Sequence, residues 1–194
     1  MFSELGPAII PVLRHQQAIY VDDCGAFISF ALFFIHLETR RVNVAGVTRH
    51  PDEAWMQQMA GNATDESWGY LDQRRSALHD RDAKFCPSFR ATLASGGIKS
   101  IQLPAHSPNL NAFAERWVRS VKQECLSKLV LFGEASLRRA LREFVEHFHA
   151  ERNHQGKANV LLFPSNTAIH SRLRRSVVCR QRLGGLLKYY CRAA

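Results

Sequence analysis

Residues 26–48 read "AFISFALFFIHLETRRVNVAGVT", and how this stretch folds decides the architecture. Its first part, "AFISFALFFIHL" at 26–37, is the longest apolar run in the chain. A run of about a dozen residues is too short for the roughly 20 that a membrane-spanning helix needs, so it reads as a buried strand. "TRRVNVAGVTRH" follows with Val42, Val44 and Val47, which suits an antiparallel hairpin partner. Upstream, "AIYVDD" at 18–23 reads as another strand, separated from the long run by Cys24 and Gly25. Residues 1–17 hold Pro7 and Pro11 without a clear period and are expected to be an irregular lead-in.

Downstream the pattern changes. "PDEAWMQQMAG" places Trp55, Met56 and Met59 at helical spacing behind Pro51, with acids in the first turn. After a polar stretch come a short strand "SALHD", a helix "CPSFRATLASGG" closed by a glycine pair, and a strand "IKSIQL". A long helix is expected after "PAHSPNLN", reaching about Val130. A second one is expected from about Ser136 to Arg152, its stripe of Leu137, Ala140, Leu141, Phe144, Val145 and Phe148 serving as core. Antiparallel strands followed by alternating strands and helices predict an α/β fold, a mixed sheet flanked by helices. No internal repeat is visible.

The 194 residues carry 26 Lys and Arg against 17 Asp and Glu, a net charge of +9. The excess is segregated. No acid follows Glu151, while nine bases do, so residues 1–151 are neutral and the last 43 form a cationic extension. Such asymmetry points to a polyanionic partner, nucleic acid being the commonest. Five scattered cysteines without a C-x-x-C pair, and no signal peptide, fit a reducing cytoplasm. The nine histidines show no zinc-finger spacing, and nothing calls for a membrane.

Candidate chemistry centres on "LHDRDAKF" at 78–85. Asp80 falls at the carboxyl end of a strand, where α/β sheets place their sites. Glu115 falls about one turn into the long helix. Two carboxylates brought together repel unless a divalent cation joins them, and hard oxygen ligands favour Mg²⁺ or Mn²⁺. Arg119 and Lys122 stand four and seven residues beyond Glu115, on the same helix face. By spacing alone the pair is a weak signal, and an intrahelical Glu–Arg salt bridge on a solvated face explains the helix, taken alone, better.

The longer motifs carry more. "HDRDAKF" followed by "SPNLNAFAERWVRSVKQECL" resembles the core of bacterial insertion-sequence transposases with a retroviral-integrase-like D-D-E catalytic domain. "LFFIHLETRRVNVAGVTRHPDEAWMQQ", "EHFHAERNHQG" and "RLGGLLKYY" extend the resemblance over about residues 21–190, weakly at 61–75. It implies an RNase-H-like fold, a two-metal D-D-E site using Mg²⁺ or Mn²⁺, and cleavage and joining of DNA at transposon ends. It also implies a homo-oligomer acting in a bacterial cytoplasm, associated with the nucleoid.

Asp80 then matches the second acid and Glu115 the third, with 34 residues between them. Asn111 matches the asparagine ahead of the glutamate, and Arg152 and His154 an R-x-H pair after the last helix. DNA-binding positions are Arg116, Arg119, Lys122 and Arg152, joined by Arg174 and Arg175 in the basic extension. Asp82 is expected to pair with Arg81 or Lys84, and His79 to pack at the strand end.

The family's first aspartate sits in the first strand, and gapless alignment back from "LFFIHLETRR" puts Gln17 on it. Asp22 or Asp23 takes that role only if the strand bulges. Asp22 is therefore the candidate third metal ligand, with Asp80 and Glu115. The lead-in looks unlike the family and no helix-turn-helix segment is evident, which suggests a truncated or frame-disrupted copy. The expected organisation is a lead-in at 1–17, a catalytic core at 18–155 and a basic tail at 156–194. In the tail, "SVVCR" and Gly184–Gly185 read either as strand and turn or as a flexible arm. The activity expected is strand cleavage and transfer with an impaired first acid. A catalytically dead DNA-binding remnant is the alternative, and a ribonuclease H is the remotest reading.

Overall fold

The structure, a computed structural model, describes residues 8–13, 18–22, 25–71, 76–104, 112–154, 158–164 and 176–192. The apolar run lies in strand β3, Gly25–His36, and organises the sheet. Three strands pair antiparallel with it: β1 (Ala8–Leu13) along residues 32–36, β2 (Ala18–Asp22) along 25–29 and β4 (Val42–Thr48) along 30–35. On the other side of β1, β5 (Ser76–His79) runs parallel to it, and β6 (Lys99–Gln102) runs parallel to β5. The sheet is therefore mixed, as the order of strands and helices in the sequence predicts.

Successive side chains of a strand face opposite sides. Phe33 and Ile35 join Val42, Val47 and Leu78 beneath helices α3 (Ala112–Glu124) and α4 (Gly133–Ala150). Leu32 and Phe34 join Ala77 beneath α1 (Glu53–Thr64) and α2 (Pro87–Ser95). Helices on both faces leave β3 no solvent side, which is why its sequence is apolar without alternation.

Several boundaries differ from the expectation. Ala8–Leu13 is a strand inside the sheet, where an irregular lead-in was expected from the prolines. A proline cannot donate to a ladder, but β5 pairs with β1 only at Ala8 and Ile9, so Pro11 lies past that stretch. Helix α1 starts at Glu53, because the Asp52 carboxylate accepts the Trp55 N–H at 2.8 Å as a cap. Helix α3 ends at Glu124, short of Val130, where Cys125 leaves helical geometry and Leu126–Lys128 form a 3₁₀ turn.

Strand β4 is bonded on one side to β3, and α4 reaches its other backbone edge at either end, across a groove lined by both elements. The Val42 N–H donates to His149 Nε2 at 2.9 Å, and the Arg138 guanidinium donates to the Val47 carbonyl. On the opposite face α1 approaches β4 so closely that a methyl group at Gly46 would lie 2.5 Å from Met59 Sδ and 2.9 Å from the Trp55 ring.

Of the two readings of the tail, the structure has the β element. Strands β7 (Val177–Arg182) and β8 (Leu187–Arg192) form an antiparallel hairpin. Gly184 and Gly185 supply its left-handed turn at φ 67° and 92°. Leu187 is buried with the α3–α4 core, and Arg182 enters a cluster of Glu143 and Glu146 on α4 and the buried Glu151. Among the described residues no helix is long and apolar enough to cross a membrane.

Candidate functional site

Strand β5, "SALH", is buried throughout, so the chain surfaces only at Asp80. The loop that follows is ordered by its own side chains. Asp80 Oδ1 accepts the Asp82 N–H at 3.0 Å, and Asp82 Oδ1 accepts the Lys84 N–H at 2.9 Å. These are successive Asx turns, in which a short carboxylate stands in for a backbone acceptor. Lys84 Nζ pairs with Asp82 at 3.3 Å, so Lys84 is the partner of the extra acid. Arg81 Nε reaches the Leu103 carbonyl at 3.3 Å and ties the loop to the end of β6. Phe85 then plugs the core against His79 and Phe89. The closely spaced aspartates thus first build the turn that holds Asp80 at the strand end.

His79 is a core residue. It is buried, its Nδ1 lies 2.6 Å from the Asp80 carbonyl, and its ring packs on Phe85 at 4.8 Å. Burial pushes its pKa below the ordinary imidazole value, so the ring stays neutral.

Glu115 is half-buried in the first turn of α3. The helix is oriented by Ala114, Trp117, Val118 and Val121, with the Trp117 ring 4.3 Å from Phe33. Ala114 and Val118 share one buried cluster with Leu78, two residues before Asp80. The carboxyl end of β5 and the start of α3 thus contribute to one buried cluster, with Asp80 two residues beyond Leu78 and Glu115 next to Ala114. Arg119 is exposed one turn on from Glu115, with the half-buried Lys122 following on the same stripe.

The register does not bring Asp22 to this end. Continuing the β1–β5 pairing beyond Ile9–Ala77 puts Val12 level with Asp80, and Val12 pairs with Phe33. Asp22 pairs with Gly25 at the far tip of the β2–β3 hairpin. From Phe33 back to Gly25 is eight strand positions, about 27 Å at a rise of about 3.4 Å per residue. Strand β1 itself reads "AIIPVL" and holds no acid. Gln17, Asp23, Asn111, Arg174 and Arg175 lie outside the described residues.

A Mg²⁺ or Mn²⁺ centre needs several hard oxygen donors. Asp80 and Glu115 have the right chemistry, yet no group of three His, Cys, Asp or Glu side chains able to hold a metal exists among the described residues. The described donor set is too small for such a centre.

Of the other sequence candidates, Arg152 is tied to Glu124 at 2.6 Å and joins the ends of α4 and α3. His154 Nε2 lies 2.8 Å from the Phe148 carbonyl. Arg116 projects away from the Glu115 stripe into a cavity with Arg152 and His154. Arg40 lines the same cavity, and the sequence reading missed it. Its signal was the family-like "ETRRV", which reads as a plain turn until α3 is laid over it.

Comparisons with known proteins agree with this fold. Residues 96–160 match the family described as "Integrase core domain", a segment holding β6, α3 and α4. No curated protein matches the chain in sequence. Among solved structures, the magnesium complex of the HTLV-2 integrase catalytic core domain, in its trimeric form, superposes with a TM-score of 0.58 at 11% identity. The match covers 80% of this chain and 93% of that one. The protein therefore has the fold of an integrase catalytic core, a mixed RNase-H-like sheet between two helical layers.

Proposed function

We propose that the chain is a transposase-type core for cleaving and joining DNA strands, with its first-acid position impaired. The observation that supports this reading is that Leu78, two residues before Asp80, and Ala114, next to Glu115, belong to one buried cluster in an integrase-core fold. With a third carboxylate supplied, these acids would hold Mg²⁺ or Mn²⁺, which stabilises charge on a phosphoryl group under attack. Two of them hold a hard divalent ion weakly. Arg119 and Lys122 extend the site as a cationic stripe suited to a DNA backbone. Arg116, Arg152 and, in the basic tail, Arg174 and Arg175 are further candidates for binding DNA. A likeness in fold to a protein described as trimeric supports self-association.

A second reading, a DNA-binding protein without strand-transfer activity, is favoured by the acid-free sequence of β1. One assay separates the two. Strand cleavage on branched DNA with Mn²⁺ is compared for the parent chain, Glu115→Gln, Asp22→Asn, Gln17→Asp and Val12→Asp. Cleavage by the parent, lost in both Glu115→Gln and Asp22→Asn, would establish an active site that recruits Asp22. Gain of cleavage in Val12→Asp or Gln17→Asp alone would establish a core that lacks only its first carboxylate. If no variant cuts while all bind DNA, the strand-transfer reading fails and the binding reading stands.

A further inference from the structure

The strongest unassigned feature is the cavity of about 500 Å³ between the β3–β4 turn, α3 and the end of α4. It lies apart from the Glu115 stripe. Phe113, Arg116, Trp117 and Ser120 face it at helical spacing, while Glu115, Arg119 and Lys122 occupy another flank of α3.

Its chemistry is that of an anion site awaiting an acid. Arg40 and Arg116 both line it, and among the described residues neither is within ion-pair distance of a carboxylate. One guanidinium nitrogen of Arg40 is buried without a hydrogen-bond partner, as is the indole Nε1 of Trp117, itself only 3% exposed. Burial, and then the charge of Arg116, lower the pKa of Arg40. A partly buried cation close to a second one gains from an anion placed between them. Arg40 also sits at φ 63°, a left-handed conformation that costs a non-glycine residue about 1–2 kcal/mol. The Arg40 N–H to His36 carbonyl bond at 2.9 Å holds the turn, and the side chain stacks over Phe113. The turn thus holds a partly desolvated cation close to a second one, in a cavity that Trp117 also lines.

We propose that this cavity binds a phosphate ester, with Arg40, Arg116 and the Trp117 indole N–H on the phosphate oxygens. A single carboxylate has two oxygens and is satisfied by one guanidinium fork, whereas three donors from separate residues match a tetrahedral group. The cavity is also far larger than a phosphate, which displaces only a few waters at about 30 Å³ each. Phe148, Leu162 and Trp117 line the remainder with apolar surface, which suits the sugar or base of a nucleotide. This site stands independently of any strand-transfer chemistry at Asp80 and Glu115.

The test follows the Trp117 indole N–H by ¹⁵N NMR in the full chain. The three tryptophan signals are assigned with Trp55→Phe and Trp68→Phe. Inorganic phosphate and thymidine 5′-monophosphate are expected to shift the Trp117 signal saturably, the nucleotide binding more tightly. Arg40→Gly, which keeps the left-handed turn without the charge, and Arg116→Gln are each expected to weaken binding by about tenfold or more. Arg90→Gln, on α2, is expected to leave it unchanged. A single-stranded oligothymidine that produces the same shift assigns the site to a phosphate within DNA, and one that does not assigns it to a free nucleotide. A Trp117 signal that neither small probe moves, or that moves equally in Arg40→Gly, overturns the proposal.

Discussion

His149 accepts a hydrogen bond from the Val42 N–H, which it does only while that ring nitrogen is unprotonated. Burial, then the charges of Arg41 and His154, depress its pKa from 6.5 to about 4. The unfolded chain takes up this proton near 6.5 and the folded chain only near 4, so in between the unfolded state binds more protons. Stability is therefore full above this window, falls as pH is lowered through it, and levels off below it. Thermal melts across the window are expected to show this slope, and His149→Gln, which keeps an acceptor but does not titrate, should flatten it. At Gly46 the conflict is steric. Gly46→Ala drives a methyl group into Met59 and Trp55, and an overpacked contact of this kind costs about 1–3 kcal/mol. Urea denaturation is expected to show a lower midpoint without a change in slope.

The C-terminal hairpin depends on one side chain. Arg182 donates to Glu151 and Glu143 at 2.9–3.1 Å and also pairs with Glu146. Burial acts to raise the Glu151 carboxyl, but hydrogen bonds from Arg182 and His147 outweigh it and hold it below its ordinary value. Removing Arg182 leaves a buried carboxylate short of its cation, so Arg182→Ala is expected to destabilise the docked hairpin by about 2 kcal/mol or more. Hydrogen exchange should then accelerate in β7 and β8 well before it does in β3. This latch was not legible in the sequence. Nothing local links position 182 to Glu143, Glu146 and Glu151. The β3–β4 hairpin, α2, β5 and α4 were legible, since each is announced by periodicity, a cap or a glycine pair close by. Strand β1 was not, because two prolines hid a segment whose pairing is set by partners 19 or more residues away. That Asp80 stands at the end of a strand and Glu115 in the first turn of a helix was legible from motif and spacing. Arg40 was not, because a turn residue acquires its surroundings only when α3 and α4 close over it.

At the scale of the molecule, the acids and bases are distributed unevenly along one chain, and binding to DNA should show it. Affinity for a nonspecific duplex is expected to fall steeply with salt, and Arg119→Ala or Lys122→Ala should each lower the logarithmic slope by about one. Titrations at several salt concentrations check this. The two bonds by which α4 holds the outer edge of β4 have a further consequence, for shelf life. A free strand edge is a template for another chain, and here one of those two bonds is made to a ring that acid can charge. Below about pH 4, with His149 protonated, Val42 loses its acceptor while the rest of the fold is already weakened. Acid storage should therefore drive this protein into ordered self-assembly, visible as rising light scattering and thioflavin fluorescence, and His149→Gln should delay it.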